Sequence, residues 1–222
     1  MTVSVVVPWR AGCPWREAAW EWVRARYEQE HPDWQVVAGH APDGPWCKAA
    51  AVAGGLRDAT GDVLVIADAD VWCDGLDDAV HAVADGAPWA IPHRTVTRLT
   101  EQATGDVLAG ATPDGRMEVE QRPYTGTMGG GITVLPRVLY EQIPLDPRFI
   151  EWGQEDEAWG VALTTLVGRP WRGTTGLYHL WHPPQRRQSR SSGHPAGVAL
   201  ARRYSAARRA SATMEALIAE AK

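Results

Sequence analysis

Short apolar runs alternate with helix-like segments over the first 93 residues, and this alternation restricts the chain to few architectures. Residues 3–9, 34–39, 63–68 and 88–93 are rich in apolar and β-branched residues and are bounded by proline, glycine or polar turns, which predicts strands. Segments with apolar residues at helical spacing separate these runs. Strands that alternate with helices predict an α/β fold with a mostly parallel central sheet flanked by helices.

The second half of the chain is less regular. Residues 95–124 are polar and weakly patterned, so we expect a mobile loop there, with a short hairpin near residues 112–116. A glycine cluster, a strand and a short helix follow. A helix at residues 155–167 and a last strand at residues 175–184 complete the prediction.

The composition fits one well-buried domain. The chain has 222 residues, of which 45% are hydrophobic and 22% are charged, which is typical of globular proteins and not of disordered ones. Its formal net charge of -5 argues against a surface that binds nucleic acid throughout. The three cysteines are widely spaced, form no zinc pattern and suggest reduced thiols. No apolar stretch is long enough for a signal peptide or a membrane span, so we predict a cytoplasmic protein.

Two aspartates end the most apolar of the predicted strands. Asp68 and Asp70 follow the run from Val63 to Ala67, with the small Ala69 between them. Ligands of parallel sheets bind beyond the carboxyl ends of the strands, and hard divalent cations prefer carboxylate oxygens. The alternative is that Asp68 caps a turn and Asp70 faces solvent. The buried strand before them favours a site for Mn²⁺ or Mg²⁺.

A second acidic cluster, EWGQEDEAWG at residues 151–160, lies where a loop enters a predicted helix. Glu155 and Asp156 stand at the start of that helix, where the helix dipole helps to keep a carboxylate ionised, as a general base requires. A solvent-exposed acidic helix start is the alternative. The flanking tryptophans, Trp152 and Trp159, favour a functional site.

Two histidines and a glycine cluster complete the candidate residues. His179 or His182, in YHLWHPP, can complete a metal site that begins with Asp70. Their spacing does not place both on one face of a strand, so we expect at most one ligand from this pair. Gly130 and Gly131, in MGGGI, allow close approach of the backbone to a ligand or form a flexible turn.

The order of these blocks resembles that of GT-A glycosyltransferases of the family 2 type. The blocks are VVVPWR, KAAAVAGGLRDATGDVLVIADADV, GGGITVLPR, WGQEDEAW and YHLWHPP. The chain is also similar to the galactosyltransferase group, which carries a C-terminal tryptophan-glycine-acidic signature. This resemblance covers residues 3–184 and implies a GT-A fold, to which the remaining residues add a C-terminal helical extension.

The resemblance implies a metal site and a donor. Asp70 would be a direct ligand of Mn²⁺ or Mg²⁺, and Asp68 would contact the metal or the ribose of a nucleotide sugar. One histidine would be a further ligand, with His179 preferred and His182 close behind it. The cation would be held against the diphosphate of the donor.

The resemblance also implies a base and a binding surface. Asp156 would be the catalytic base, and Glu155 would help to bind the acceptor. Ala53 replaces an asparagine that is frequent in the family, and the acidic motif of the second strand is reduced to Asp43, which leaves the base specificity open. The residues that would border the nucleotide or its sugar are Pro8, Arg10, Asp43, Lys48, Asp68, Gly130, Gly131 and Trp152.

These roles together imply a metal-dependent glycosyltransferase. A sugar from a nucleotide-diphosphate sugar, with a UDP-sugar as the expected donor, would move to an acceptor hydroxyl with inversion. The acceptor would be a glycan, a protein or modified DNA. A sugar-phosphate nucleotidyltransferase would share the sheet and the metal, but PWRAGCPWR has one glycine where that class has a glycine-rich basic loop. A non-catalytic glycan-binding module is a third alternative.

The C-terminal segment is unusually basic. We expect residues 1–184 to form the GT-A catalytic domain and residues 185–222 to form a basic linker and a C-terminal helix. Seven arginines and no acidic residue occur between Gln185 and Arg209. One interpretation is a solubilising and packing helix. The other is a surface for an anionic partner such as nucleic acid, a phosphorylated glycan or a lipid headgroup.

Overall fold

The computed structural model of the chain describes residues 1–126, 129–183 and 194–221. These residues form eight strands and eight helices, and none of the helices is both long and apolar enough to cross a bilayer. The strands are β1 (Val3–Trp9), β2 (Gln35–His40), β3 (Val63–Ala67), β4 (Val71–Cys73), β5 (Ala90–Arg98), β6 (Tyr124–Thr125), β7 (Ile132–Pro136) and β8 (Trp171–His179). The helices are α1 (Pro14–Glu30), α2 (Lys48–Leu56), α3 (Leu76–Ala84), α4 (Glu101–Leu108), α5 (Arg137–Gln142), α6 (Glu155–Val167), α7 (Pro195–Ala207) and α8 (Ser211–Ala219).

All eight strands belong to one mixed sheet, with the order β2-β1-β3-β7-β5-β8-β4 and with β6 paired to β5. β1 is parallel to β2 and β3, and β5 is parallel to β8. β7 is antiparallel to both β3 and β5, so it separates two groups of strands that share one direction. β4 and β6 also run in the opposite direction. The predicted α/β class is confirmed, and β1, β2, β3, β5 and β8 run the same way.

The sheet is buried on both faces, as the apolar run around Val65 predicted. Val5 and Val65 belong to an apolar cluster that includes residues of α1 and α3. Val6 and Leu64, the alternate residues of the same strands, belong to a second cluster with residues of α2, α5 and α6. The strand ends therefore stand between two packed helical layers, which hold them in fixed positions.

Residues 95–124 are not the loop that the sequence suggested. β5 continues through the alternating Thr95-Val96-Thr97 run to Arg98, and α4 follows it. The hydroxyl of Thr100 caps α4 by accepting a hydrogen bond from the Ala103 N–H at 3.3 Å. The weak apolar pattern of this region hid the helix, because α4 buries only one narrow side.

The predicted C-terminal helix is two helices, α7 and α8, that pack on α6. Leu200, Tyr204, Leu217 and Ile218 are buried in the same apolar cluster as Trp159 of α6. The linker was predicted at residues 185–197, of which residues 185–193 lie outside the described residues. Its last three residues are helical instead, because α7 begins at Pro195. The described part of the extension therefore shares its core with the rest of the fold.

Hydrogen bonds of Asp146 and Arg148, here called the Arg148 network, connect α7 and α8 to the segment that leads into α6. The buried Asp146 carboxylate accepts hydrogen bonds from the Tyr204 hydroxyl at 2.9 Å and from Arg148 at 2.7 Å. The guanidinium of Arg148 also donates to Glu220 at 2.9 Å and to the Leu217 carbonyl at 2.8 Å. One arginine thus links the loop to the last helix.

His93 of β5 is a buried imidazole whose two ring nitrogens have no hydrogen-bond partner among the described residues. Burial, with a smaller contribution from Arg172, lowers the pKa of His93 to about 4. The unfolded chain takes up a proton at its ordinary pKa near 6.5, whereas the folded chain does so only near 4. This histidine therefore favours folding above its unfolded pKa, and that contribution is lost as the pH falls from 6.5 to 4.

We expect the free energy of unfolding of the wild type to fall by about 2 kcal/mol more than that of His93→Phe between pH 7 and pH 5. Urea titrations at the two pH values measure this difference. His81→Gln is the matched control, because His81 is exposed on α3. Equal pH dependence in the wild type and in His93→Phe would contradict the prediction.

Candidate functional site

Two clusters of polar side chains meet where β3 ends and β4 begins. The Asp70 cluster consists of Asp70, His179 and His182. The Lys48 cluster consists of Lys48, Asp68 and Asp156. Only Ala69 separates Asp68 from Asp70 in the chain. The two clusters are therefore neighbours at the end of one buried strand.

β4, a three-residue strand that the sequence did not predict, brings Asp70 to the histidines. It pairs antiparallel with the end of β8, so that Val71 lies opposite His179. The Leu180 N–H donates a hydrogen bond to the Asp70 carbonyl at 2.8 Å. The predicted last strand begins earlier than expected and ends at His179. This pairing places residues that are more than a hundred positions apart in the chain side by side.

The Asp70 cluster has the side chains of a metal site. His182 Nε2 lies 3.3 Å from Asp70 Oδ2, and His179 Nε2 lies 3.8 Å from Asp70 Oδ1. One potential ligand atom of each of the three residues lies within 4.8 Å of the others. Only 10% of the Asp70 side chain is exposed. Such convergence of a carboxylate and two imidazoles suits a divalent transition metal.

Hydrogen bonds to the backbone fix both imidazoles in the tautomer that has its proton on Nδ1 and leaves Nε2 able to bind a metal. His179 Nδ1 lies 2.9 Å from the Leu180 carbonyl oxygen, and His182 Nδ1 lies 3.0 Å from the Pro183 carbonyl oxygen. A carbonyl oxygen only accepts, so each Nδ1 donates and each neutral ring presents the lone pair of Nε2 towards Asp70. Burial lowers the pKa of His179, which favours this neutral form.

Both histidines reach Asp70, although strand alternation suggested that only one of them would. That expectation treated His179 and His182 as members of one strand. β8 ends at His179, and His182 lies beyond it in a segment without strand geometry. Alternation therefore does not govern the direction of His182.

Two arginines adjoin the Asp70 cluster. Arg16 of α1 lies 3.6 Å from Asp70 Oδ2 through Nε and 3.3 Å from His182 Nε2 through a terminal nitrogen. A terminal nitrogen of Arg98, from β5, lies 3.4 Å from His179 Nε2. Burial alone would raise the pKa of Asp70, but nearby positive charge, which includes the two guanidinium groups, lowers it. Asp70 is therefore held as a carboxylate.

A buried lysine joins the two remaining acids. Lys48 Nζ donates to Asp68 Oδ1 and to Asp156 Oδ1, each at 2.7 Å, and only 8% of its side chain is exposed. Burial would lower the pKa of Lys48, but Asp156, Asp68 and Glu155 outweigh it and raise that pKa. Lys48 is the first residue of α2, so this helix fixes the position of its backbone, while the two carboxylates hold its ammonium group.

Asp156 and Glu155 begin α6 after a strained loop. Glu151 and Gln154 have φ angles of 68° and 72°, a left-handed backbone conformation that is uncommon outside glycine. Glu155 Oε2 accepts a hydrogen bond from the Gly153 N–H at 2.9 Å. Burial raises the pKa of Asp156 to about 7, Lys48 opposes this shift, and the neighbouring carboxylates support it. Burial also raises the pKa of Glu155.

The glycine cluster packs between the two acidic segments. A Cβ atom at Gly129 would lie 2.3 Å from the Asp156 carbonyl oxygen, so only glycine fits there. The Gly131 carbonyl accepts a hydrogen bond from the Asp68 N–H at 2.9 Å, and Gly131 has a φ of 76°. Gly130 lies between them and is partly exposed. Met128, the first residue of the predicted cluster, lies outside the described residues.

Three further predicted residues, Pro8, Arg10 and Trp152, differ in their burial. Pro8 is buried in β1, and the Arg10 guanidinium lies 5.3 Å from the ring centre of Trp46. The Trp46 carbonyl accepts a hydrogen bond from the Glu151 N–H at 2.7 Å, which links this edge to the loop before α6. Trp152, in the same loop, is 50% exposed.

Asp43 stands apart from these residues. It is exposed on the turn between β2 and α2, and within the described ranges the structure brings it into neither cluster. Its assignment to the nucleotide therefore stays a prediction.

Sequence reasoning missed Arg16, Arg98 and Trp46. Arg98 was hidden because residues 95–124 were expected to be a loop, although the Thr-Val-Thr alternation before it is typical of a strand. Arg16 stands in the first turn of a helix, where an arginine usually faces solvent. No sequence signal connects it with Asp70.

Solved structures resemble this fold, although no protein-family model and no curated protein matches the sequence. A Drosophila β-1,4-galactosyltransferase 7 variant with manganese, UDP-Gal and xylobiose is 14% identical, with coverage of 85% of this chain and 66% of that chain and a TM-score of 0.47. GalNAc-T7 with UDP, GalNAc and Mn²⁺ is 13% identical over 88% of this chain and 47% of that chain, with a TM-score of 0.51. Mycobacterium tuberculosis glucosyl-3-phosphoglycerate synthase with Mn²⁺, UDP and phosphoglyceric acid is 14% identical over 94% of this chain and 78% of that chain, also with a TM-score of 0.51.

The chain thus spans about half the length of GalNAc-T7 and about two thirds of the galactosyltransferase. The two similarities at a TM-score of 0.51 concern the path of the backbone, since sequence identity is low. The chain therefore has the GT-A fold.

Proposed function

We propose that this protein is a metal-dependent glycosyltransferase that uses a nucleotide-diphosphate sugar, with a UDP-sugar as the expected donor. One observation carries the proposal: the Asp70 cluster and the Lys48 cluster lie side by side at the carboxyl end of β3. A cation at the Asp70 cluster would bind the diphosphate of a donor. The neighbouring carboxylate of Asp156, whose pKa is raised, would accept a proton from the acceptor. The GT-A fold agrees with this arrangement.

The donor set of the Asp70 cluster fits a divalent cation. Asp70 supplies a carboxylate oxygen, and His179 and His182 present Nε2 lone pairs that backbone hydrogen bonds have oriented. Imidazole nitrogen suits Mn²⁺ better than Mg²⁺, which prefers oxygen ligands. A bound cation would neutralise charge on the leaving nucleoside diphosphate. Asp68 adjoins this site and is the candidate for contact with the donor.

Asp156 is the proposed base. Its carboxylate accepts the proton of an acceptor hydroxyl, while the hydroxyl oxygen attacks the anomeric carbon and the bond to the diphosphate breaks. A single displacement from the opposite face inverts the anomeric centre. Lys48 fixes one oxygen of Asp156 at 2.7 Å, and the other oxygen is proposed to face the acceptor. Glu155 and Trp152 are proposed to contact the acceptor or the donor sugar.

The acceptor is proposed to be a hydroxyl on a glycan, a protein or modified DNA. One fold hosts many functions, so the GT-A fold does not select among these acceptors. Exposed arginines at 202, 208 and 209 support an anionic partner at the C-terminal extension, whereas Arg203 is paired with Glu220. Arg186, Arg187 and Arg190 lie outside the described residues. A cytoplasmic location stays a prediction.

A thermal-shift panel of nucleoside diphosphates, with and without Mn²⁺, tests the proposal. We expect UDP at about 100 times its Kd to raise the Tm by roughly 5–10 °C in the presence of Mn²⁺, because it binds only the folded state. Without Mn²⁺ the shift should be small. A nucleotide shift that is independent of the metal would contradict the proposal.

Product analysis separates the alternatives. A glycosyltransferase releases UDP from a UDP-sugar, whereas a nucleotidyltransferase releases pyrophosphate from a nucleoside triphosphate and a sugar phosphate. A glycan-binding module does neither. Pyrophosphate release without UDP release would favour the nucleotidyltransferase.

A further inference from the structure

Arg16 and Arg98 have no role in the chemistry proposed above, yet both guanidinium groups contact the atoms that would bind the metal. Arg16 lies 3.3 Å from His182 Nε2, and Arg98 lies 3.4 Å from His179 Nε2. They come from different elements, α1 and β5. Their convergence on one cluster is therefore a property of the fold and not of one local segment.

A contact with Tyr124 holds Arg98 beside the cluster, and Arg16 is largely buried there. Arg98 Nε donates to the Tyr124 hydroxyl at 3.1 Å, which directs its terminal nitrogens towards His179. Only 27% of the Arg16 side chain is exposed, and its buried Nε has no hydrogen-bond partner in the described part of the chain. Arg98 is thus oriented before any ligand arrives, and Arg16 brings a buried donor to the same cluster.

The local charge exceeds what the cluster can neutralise. Two guanidinium groups face the single carboxylate of the Asp70 cluster, and a divalent cation would add two further positive charges. A nucleoside diphosphate carries close to three negative charges as a leaving group, whereas a nucleoside monophosphate carries about two at most. The positive groups of this cluster therefore favour the diphosphate, which is the more highly charged of the two anions.

The guanidinium groups and the cation also compete for the same lone pairs. If Nε2 of both histidines held a cation, the nitrogens of Arg16 and Arg98 would lose those acceptors. Buried donors need new acceptors, and phosphate oxygens bound to the cation supply them at the same place. Planar guanidinium groups suit this role because they bind phosphate in a bidentate manner.

We propose that Arg16 and Arg98 bind the diphosphate of the donor and make the site selective for nucleoside diphosphates over monophosphates. This inference rests on the proposed function, because it assumes that the cation and the donor meet at the Asp70 cluster. The two arginines act on binding in opposite directions: they disfavour the bare cation and favour the anion that comes with it.

The test measures two affinities in the wild type, Arg16→Gln and Arg98→Gln. With saturating Mn²⁺, we expect each variant to bind UDP roughly 10-fold more weakly and UMP less than about 3-fold more weakly, because the outer phosphate loses a charged donor. Without nucleotide, we expect Mn²⁺ to bind at least about 3-fold more tightly, because a neighbouring positive charge is gone. Calorimetry gives the nucleotide values, and electron paramagnetic resonance gives the free Mn²⁺.

Control variants exclude a general loss of charge. Arg24→Gln lies on the same helix as Arg16, but Arg24 is exposed and paired with Glu28. Arg94→Gln lies on the same strand as Arg98, and Arg94 is exposed. Both controls should leave the affinities for UDP and Mn²⁺ as in the wild type. Arg16→Lys keeps the charge, so it should keep the weak binding of bare Mn²⁺ while losing part of the UDP affinity.

The outcomes distinguish this inference from the function on which it rests. A wild type that binds neither UDP nor UMP in the presence of Mn²⁺ overturns both. A wild type that binds UDP, with unchanged ratios of UDP to UMP affinity in Arg16→Gln and Arg98→Gln, overturns the inference alone. Weaker Mn²⁺ binding in these variants also overturns it, since that result means that the arginines only support the structure of the cluster.

Discussion

Asp70→Asn is expected to weaken Mn²⁺ binding by at least about 100-fold and to remove the Mn²⁺-dependent shift of Tm by UDP. Asp70 is the only carboxylate of the Asp70 cluster, and its oxygens face both imidazoles at 3.3 and 3.8 Å. The amide of asparagine has the same shape but no charge to offset a divalent cation or two arginines. Mn²⁺ titration followed by electron paramagnetic resonance measures the loss.

Asp78→Asn is the matched control for this prediction. Asp78 is an exposed acid in the first turn of α3, close to Asp70 in the chain. It should bind Mn²⁺ and UDP as the wild type does. Circular dichroism must show that Asp70→Asn is folded, and a folded variant with wild-type Mn²⁺ affinity would refute the assignment of the cation site.

Asp156→Asn is expected to reduce sugar transfer by roughly 10²- to 10⁴-fold while UDP still binds with Mn²⁺. Asparagine keeps the hydrogen bond from Lys48 but cannot accept a proton from the acceptor. Because Asp156 has a raised pKa of about 7, the wild-type rate should increase with pH up to about 7 and then level off, as the carboxylate loses its proton. Initial rates of UDP release between pH 5 and pH 9 measure this profile.

Glu157→Gln is the control for the base. Glu157 is exposed in the same turn of α6, so its loss changes the local charge without touching the site. It should transfer sugar at nearly the wild-type rate. If Asp156→Asn turned over normally with the wild-type pH profile, another group would be the base.

Local sequence patterns predicted the framework of the fold because the relevant signals are short-range. β1 and α6 begin and end at the predicted residues, since a β-branched run and an acidic helix start need few distant contacts. The placement of Asp68 and Asp70 at the end of β3 followed from the apolar run before them. The positions of the acidic residues at the end of β3 and at the start of α6 could thus be predicted from the local sequence alone.

The contacts within the site were not readable in this way. Lys48 bridges Asp68 and Asp156 across 20 and 108 residues of sequence, and no local rule indicates such a meeting. β4 is three residues long and was invisible to periodicity, yet it brings Asp70 to His179. Both features depend on the order of strands in the sheet, and sequence periodicity carries no information on that order.

In the Arg148 network, the hydrogen bonds of Asp146 and Arg148 attach the C-terminal helices to the segment before α6, so these helices support the position of Asp156. Asp146 and Arg148 precede the strained loop at residues 151–154, and they are clamped to Tyr204, Leu217 and Glu220. Misplacement of a reacting group by about 1 Å can cost 100-fold in rate, so a small shift of this loop would reach Asp156. Substitutions in α7 and α8 are therefore expected to change the position of Asp156, the proposed base, without contact with a substrate.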